Sequence, residues 1–268
     1  MSLTRERLLA EMGIAPLWVR RDAQPVGAPE TLAVPAAVEP TPSETAMDVE
    51  TPAFEAPPRA EVPGFTADAS PAALTWPQLD DAIRACRACP LCERRKQAVP
   101  GVGDVEADWL FIGEGPGADE DERGEPFVGQ AGRLLDAMLA AINLERGENV
   151  YIANAVKCRP PGNRTPETAE LAACRPYLVR QIALIRPRLI VLLGRVAVQS
   201  VLGQDVSLAS LRGKTLRYQD RDAGLDIPVL VTYHPAYLLR NLPDKAKAWE
   251  DLCRARALLR SLATDAAA

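Results

Sequence analysis

Residues 113–132 read GEGPGADEDERGEPFVGQAG and follow the apolar run WLFI at 109–112. The apolar run is typical of a buried strand. The glycine-rich stretch behind it predicts a sharp turn whose backbone can approach a ligand closely, because glycine has no Cβ. In open α/β sheets, ligands bind beyond the carboxyl ends of strands, which is the position of this turn. The stretch is neither GxGxxG nor a P-loop, and the alternative is a tight turn with solvated acids.

Four apolar runs alternate with helical patterns along the second part of the chain. The predicted strands cover 109–112, 150–156, 189–193 and 229–233. The predicted helices cover 76–86, 131–142, 165–185, 195–202 and 245–262. Such alternation is typical of right-handed βαβ crossovers, so it predicts an α/β fold with a parallel sheet covered by helices on both faces.

Polar motifs follow three of these predicted strands. GEGPG follows the first, NAVKCRPPGNR spans 154–164 at the end of the second, and YHPAYLLR spans 233–240 at the end of the fourth. Because the carboxyl ends of parallel strands meet at one edge of a sheet, we expect the three motifs to converge. The convergence favours a ligand site.

The six cysteines lie at positions 86, 89, 92, 158, 174 and 253. The first two come from one turn, the fourth from a strand-end loop and the fifth from the following helix. Four thiolates suit either a [4Fe–4S] cluster or Zn²⁺, and iron–sulfur is preferred because a zinc ribbon normally pairs two short CxxC turns. Cys92 is an extra residue at chelating spacing. Cys253 has the helical spacing of an inert core thiol.

Three further features allow two interpretations each. His234 is the single histidine of the chain, and it is either a structural residue or a functional group fixed by the proline that follows. Phe127 is either part of the core or an accessible ring of the kind on which bases stack outside a duplex. Leu238, Leu239 and Arg240 form either a wedge at a loop tip or the start of a helix that packs its leucines inward.

The first 75 residues differ in composition from the rest. They hold 11 of the 24 prolines and carry 5 basic and 11 acidic residues, which leaves 26 basic and 25 acidic residues for positions 76–268. We predict a disordered tail at 1–75 and a folded domain at 76–268. Residues 2–12 form an amphipathic segment that either docks on a protein partner or packs on its own domain. No apolar run is long enough for a membrane span or a signal peptide, so we expect a cytoplasmic protein.

The motifs together resemble a known family. GEGPGADEDERGEPFVGQAG, NAVKCRPPGNRTP, the cysteine quartet and HPAYLLRN occur in the order found in the family 4 uracil-DNA glycosylases, the iron–sulfur type of bacteria and archaea. The resemblance covers residues 86–258. It implies a three-layer α/β/α sandwich around a four-stranded parallel sheet, a [4Fe–4S] cluster, and removal of uracil from single- or double-stranded DNA by a monomer.

The resemblance also implies roles for individual residues. It implies that Glu114 and His234 belong to the catalytic motifs, and as a wedge Leu238, Leu239 and Arg240 are expected to contact DNA. The substrate lies among Gly115, Glu120, Phe127, Asn154 and Asn163, of which Phe127 stacks on uracil and Asn154 reads its edge. The cluster ligands are Cys86, Cys89, Cys158 and Cys174, without Cys92.

One departure from the family concerns the general base. Better-known relatives carry an aspartate where this chain has Gly115, so Glu114 is the candidate base. His234 is the candidate donor to the departing base, since preorganised donors stabilise developing negative charge. A related branch traps its product through an inserted loop with a second histidine, which this chain lacks, so we expect turnover.

Two other functions compete with the glycosylase hypothesis. A non-catalytic iron–sulfur DNA-binding module would give the predicted pocket residues no reason to occur together. A hydrolase of free nucleosides or nucleotides would leave the motif at 238–240 unexplained.

Overall fold

The structure, a computed structural model, describes residues 70–265. The predictions for residues 1–69 lie outside this range. The folded part begins before residue 76, because Pro71–Ala73 form a 3-10 turn and Arg180 Nε donates to Leu74 O at 2.8 Å.

Six strands and eight α-helices occur between residues 70 and 265. The strands are β1 Val102–Gly103, β2 Trp109–Gly113, β3 Val150–Asn154, β4 Leu189–Leu193, β5 Leu216–Asp220 and β6 Leu225–Thr232. The helices are α1 Trp76–Ala85, α2 Ala118–Arg123, α3 Gln130–Ala141, α4 Thr168–Ile185, α5 Arg195–Leu202, α6 Leu208–Leu211, α7 Pro235–Arg240 and α8 Lys245–Asp265. Further 3-10 turns are Pro90–Glu93, Pro161–Asn163 and Leu242–Asp244.

The sheet has the strand order β1-β3-β2-β4-β6-β5. Its four central strands are parallel, which confirms the predicted parallel sheet. Two antiparallel edge strands, β1 and β5, were not predicted. The first is only two residues long, and the second is half exposed with alternating burial, so neither produces the continuous apolar run of a buried parallel strand.

Helices cover both faces of this sheet, because alternate residues of each buried strand point to opposite sides. On one face, Leu110, Ala153 and Leu192 join a core completed by α4 and α5. On the other, Phe111 and Val191 join a core completed by α3 and α8. The predicted three-layer α/β/α sandwich is therefore confirmed.

Candidate active site and thiol cavity

A cavity of about 550 Å³ lies at the carboxyl edge of the parallel strands. We call it the strand-end cavity. The three motifs that follow β2, β3 and β6 all contribute to its wall. It brings together the following predicted site residues: Glu114, Gly115, Glu120, Phe127, Asn154, Asn163, His234 and Arg240. The expected convergence of the motifs is thus present in the fold.

The Phe127 loop, residues 124–129, forms one wall of the strand-end cavity. Phe127 has a positive φ of 55° and is buried. Arg146 fixes this backbone by donating to Pro126 O at 2.9 Å and to Phe127 O at 2.8 Å. The Phe127 ring lies 5.4 Å from the His234 ring, centroid to centroid, with 30° between their planes.

Glu120 holds the same loop from the other side. Its carboxylate oxygens accept the N–H groups of Gly117, Val128 and Gly129 at 2.9, 3.0 and 3.1 Å. The side chain was predicted to contact substrate, and it does line the strand-end cavity. Three backbone bonds give it a structural function, since they join the turn after β2 to the end of the Phe127 loop.

Asn154 is the last residue of β3 and is 2% exposed. Its Oδ1 has no hydrogen-bond partner among residues 70–265. Gly113 permits this arrangement, because a Cβ there would lie 2.5 Å from Asn154 Oδ1 and 2.5 Å from Phe127 Cζ. A buried carbonyl oxygen without a partner is unfavourable, and it therefore points to a ligand that supplies a donor.

Glu114 and Gly115 form the turn after β2. The Glu114 carboxylate is half-buried, makes no hydrogen bond or ion pair within residues 70–265, and has a pKa raised by burial. Its backbone is fixed, because Val156 N donates to Glu114 O at 3.1 Å. A Cβ on Gly115 would lie 2.7 Å from Val156 Cγ2, so the turn packs too tightly for a side chain at that position.

His234 caps the N-terminus of α7. Its Nδ1 accepts the Ala236 N–H at 3.1 Å, so a neutral ring carries its proton on Nε2. Burial, together with the positive charge of Arg240, lowers the pKa of His234 to about 4. At neutral pH the ring is therefore an uncharged Nε2–H donor.

Of the two interpretations of residues 238–240, the loop tip is wrong. These residues belong to helix α7. Leu238 packs inward and is 1% exposed, whereas Leu239 is 39% exposed. Arg240 is exposed and lines the strand-end cavity. Leu239 and Arg240 are thus exposed to solvent, and Leu238 is part of the packing under them.

Asn163 lies at the rim, in the 3-10 turn after β3. It has a positive φ of 56°, and its Oδ1 accepts from Arg159 Nε at 2.7 Å. Arg164 beside it forms two bonds to the buried carboxylate of Glu170, at 2.7 and 2.8 Å. The rim is therefore anchored to the start of α4.

A second, much smaller cavity, which we call the thiol cavity, lies beyond the end of β3. Its wall contains the sulfur-bearing residues Cys86, Cys89, Cys92, Cys158 and Cys174. Cys253 lies elsewhere, on α8. Within residues 70–265, no three His, Cys, Asp or Glu side chains are placed to hold a single metal ion.

N–H groups point at several of these sulfur atoms. Arg95 Nη1 donates to Cys158 Sγ at 2.8 Å, the Lys157 amide to Cys174 Sγ at 3.2 Å, and the Ala88 amide to Cys86 Sγ at 3.5 Å. Burial raises the pKa of the Cys158 thiol, and raises that of Cys174 to about 12. Donors around converging sulfurs suit thiolate ligands, since hydrogen bonds to sulfur tune iron–sulfur centres.

Lys157 lines the thiol cavity and bonds Asn154, a residue of the strand-end cavity, and the sequence analysis did not identify it. It is 2% exposed, and its Nζ donates to Asn154 O at 3.0 Å and to Gln181 Oε1 at 2.6 Å. Gln181 in turn donates to Pro100 O at 2.9 Å. These bonds tie the end of β3 to α4. The available signal was a lysine directly after the predicted strand 150–156.

Comparison with known proteins shows the family of this chain. A family model of the Uracil DNA glycosylase superfamily matches residues 100–253. The Type-4 uracil-DNA glycosylase of Pyrobaculum aerophilum is 44% identical over 179 residues, which is 65% of this chain and 90% of that protein. The chain belongs to the type-4 uracil-DNA glycosylases.

Other type-4 uracil-DNA glycosylases are similar to this chain over most of their length. The Archaeoglobus fulgidus protein is 46% identical over 168 residues, covering 60% of this chain and 83% of its own length. The Thermotoga maritima protein is 40% identical over 185 residues, covering 68% and 93%. The stretch matched by the superfamily model includes the strand-end cavity residues from Glu114 to Arg240. Among residues 70–265 of this type-4 chain, no helix combines the length and hydropathy that a membrane crossing needs.

Proposed function

We propose that this chain hydrolyses the bond between uracil and deoxyribose in DNA and leaves an abasic site. Membership of the type-4 family supports the reaction. The observation that carries the assignment of residues is Asn154 Oδ1, a buried acceptor without a partner among residues 70–265. It lies beside the Phe127 ring in a cavity large enough for an extruded nucleotide.

Uracil recognition combines stacking with hydrogen bonding. Phe127 offers a ring face held in place by Arg146 and Glu120. Asn154 Oδ1 accepts the uracil N3–H, and its Nδ2 donates to uracil O4. Cytosine presents the opposite pattern at both positions, so the same amide meets acceptor with acceptor and donor with donor. A site built to satisfy such groups rejects the wrong partner strongly.

Bond cleavage places negative charge on the base. The C1′–N1 bond breaks, its electron pair goes to uracil, and charge develops on uracil O2. The neutral His234 ring donates its Nε2–H to that oxygen, and its orientation is set in advance by the Ala236 N–H at 3.1 Å. A fixed donor in a partly dry site stabilises the developing anion without reorganisation.

Water attack at C1′ completes the reaction. Glu114 is the carboxylate we assign to it, since the other acid of the cavity wall, Glu120, is occupied by three backbone bonds. The carboxylate orients the water, accepts its proton and stabilises positive charge on the sugar. Burial raises the pKa of Glu114, which makes its ionised form a better base.

DNA contact is assigned to the exposed end of α7 and to the rim. Leu239 and Arg240 extend from α7, and Asn163 lies in the rim turn. We propose that Leu239 occupies the space that an extruded base leaves, while Arg240 contacts phosphate. Positively charged side chains supply most of the sequence-independent affinity for DNA.

The thiol cavity is the proposed site of a [4Fe–4S] cluster on Cys86, Cys89, Cys158 and Cys174. Its donor set fits, because thiols from three chain segments converge there and N–H groups point at the sulfurs of the first, third and fourth. When bound, the cluster supplies a cross-link, not an acid or base. Cys92 lines the same cavity and stays outside the assigned ligands.

A uracil-release assay tests the function. We expect release from single-stranded and duplex oligonucleotides and none from deoxyuridine monophosphate. Glu114→Gln should lose most of the activity, whereas the control Asp222→Asn, at an exposed position away from the strand-end cavity, should keep it. DNA binding without uracil release would support a non-catalytic module. Release from the mononucleotide alone would support a nucleotide hydrolase.

Other sequence-based expectations stay predictions. They are the monomeric state, the cytoplasmic location and a protein partner for residues 2–12.

A further inference from the structure

Besides the Phe127 loop, the strand-end cavity has a second wall with aromatic side chains. Tyr233 and Tyr237 both line it, and their rings stack with 5.0 Å between centroids and 17° between planes. The guanidinium of Arg212 lies 4.8 Å from the centroid of the Tyr233 ring. These three side chains form a column that we call the tyrosine column.

Both ends of the tyrosine column are held by hydrogen bonds. Arg212 donates to the Asp251 carboxylate at 2.7 and 3.1 Å and to Lys247 O at 2.7 Å. The Tyr237 hydroxyl donates to Asp244 Oδ2 at 2.6 Å. The rings are therefore held before any ligand arrives, so a stacking partner loses its own freedom but does not have to order the protein.

The column ends at Tyr237. Among residues 70–265, the Tyr237 ring stacks only on Tyr233 and has no cation–π contact, and Phe127 pairs with His234. Arg240 lies three residues further along α7, which places it on the same side of the helix. It also lines the cavity, and it makes no hydrogen bond or ion pair with residues 70–265. An aromatic face and an unpaired cation thus lie next to each other.

We propose that Tyr237 stacks on the nucleobase next to the extruded uracil and that Arg240 binds the phosphate between the two nucleotides. This inference rests on the proposed function. The cavity of about 550 Å³ matches pockets for drug-sized ligands and so exceeds the needs of one pyrimidine ring. Every base has a π-face, so this subsite takes any neighbouring base. It favours substrates whose neighbouring base is free to leave the stack.

A double-mutant cycle between protein and substrate tests this subsite. Single-stranded oligonucleotides carry uracil next to either a normal base or a tetrahydrofuran abasic analogue, on the 5′ side in one series and on the 3′ side in another. For the unmodified protein, removal of the neighbouring base on one side should lower kcat/KM by about tenfold, the size expected for one stacked base. Tyr237→Ala should already show the loss and should be insensitive to the substitution in the DNA.

Matched variants separate stacking from folding. Tyr237→Phe loses the bond to Asp244 but keeps the ring, so sensitivity to the neighbouring base should remain. Tyr237→Leu keeps apolar bulk without a ring, and should be insensitive; it takes the place of the alanine variant if that variant melts at a lower temperature. Equal sensitivity in the unmodified protein and in the folded Tyr237→Leu variant would overturn the subsite while leaving the glycosylase function intact. Absence of uracil release by the unmodified protein would instead overturn the function.

Discussion

The strand-end cavity and the thiol cavity lie on either side of the end of β3 and are built in opposite ways. The first is fixed by contacts within the protein: Glu120 accepts three backbone N–H groups, and Arg146 donates to two carbonyls of the Phe127 loop. The second is lined by five cysteine side chains, and N–H groups point at three of their sulfur atoms. Arg95 also donates to Arg84 O and Cys86 O, and Lys157 donates to Gln181 of helix α4.

This difference follows from what each cavity holds. A base is bound only for one turnover, so the protein itself holds the polar groups of the pocket in place before the base binds. A metal cluster stays, so it can itself supply the bonds that close its site, and its binding energy becomes folding energy. The comparison predicts that damage to the first cavity lowers activity without loss of stability, and that damage to the second lowers stability.

Asn154→Asp is expected to have the largest effect on activity. It removes the amide donor to uracil O4 and introduces an acceptor that suits the amino group of cytosine. Uracil release should fall by roughly 10³-fold or more, since a mismatched buried polar group is rejected by orders of magnitude. Slow release of cytosine should appear, as measured on matched uracil and cytosine oligonucleotides.

Asn154→Ala is the control for this exchange. It should lose uracil release without a gain on cytosine. An Asn154→Asp protein that releases uracil at the normal rate would show that Asn154 does not read the base.

Cys158→Ser should break the second cavity. The unmodified, anaerobically purified protein should contain close to four irons per chain and absorb broadly near 400 nm, as expected of a Cys₄ cluster. The variant should lose both signals, and its melting temperature should fall by about 10 °C, which is equivalent to about 3 kcal/mol for a domain of this size. Cys92→Ser and Cys253→Ser should retain iron. Stoichiometric zinc without iron would exclude the proposed cluster.

Arg146→Ala should damage the first cavity alone. It removes two charge-assisted bonds to the Phe127 loop, at 2.8 and 2.9 Å, and so loosens the stacking ring. We expect kcat/KM to fall by about 10- to 100-fold with iron content unchanged. Arg217→Ala removes an exposed pair with Asp226 and is the matched control. Loss of iron in Arg146→Ala would mean that the two cavities are coupled.

The pH dependence of stability tests whether the pKa of His234 is lowered in the folded chain. In the folded chain its pKa is about 4, whereas an unfolded histidine titrates near 6.5. Between these values the unfolded chain binds a proton that the folded chain does not, so the free energy of unfolding falls as the pH is lowered from about 6.5 to about 4. Because the chain has one histidine, this component should be absent in His234→Gln. The free energy of unfolding of each protein is measured by urea unfolding at several pH values across this range. An equal change with pH in the two proteins would contradict this explanation.

Leu239→Ala is expected to have the smallest effect. Its exposed side chain should help to hold a base out of a duplex. Single strands largely avoid the free-energy cost of unstacking and unpairing that base. Release from duplex DNA should fall about threefold, or roughly 0.7 kcal/mol, more than release from single strands. Equal losses on both substrates would assign Leu239 to packing, as the structure already does for Leu238.

The sequence predicts the parallel sheet and most of the strand-end cavity, because both depend on local patterns. Buried strands produce continuous apolar runs, and site residues follow directly after them. Helix α2 escapes detection because its ADEDER sequence is typical of solvated acids, although Glu120 and Asp121 are buried. Residues whose partners are distant in the chain were also missed. Arg146 binds a carbonyl 19 residues away, and Lys157 binds a side chain 24 residues away, and no local pattern records such pairs.

Lys157 has a consequence for chemical footprinting. The chain has five lysines, and the other four, Lys96, Lys214, Lys245 and Lys247, are exposed. An amine-reactive reagent should therefore label the four exposed lysines rapidly and leave Lys157 untouched while the end of β3 stays closed. Label on Lys157, read by mass spectrometry of the peptide that carries Cys158, would time the opening of the packing around Lys157 at the end of β3. The labelling rates of the four exposed lysines would serve as the internal reference for the labelling rate of Lys157.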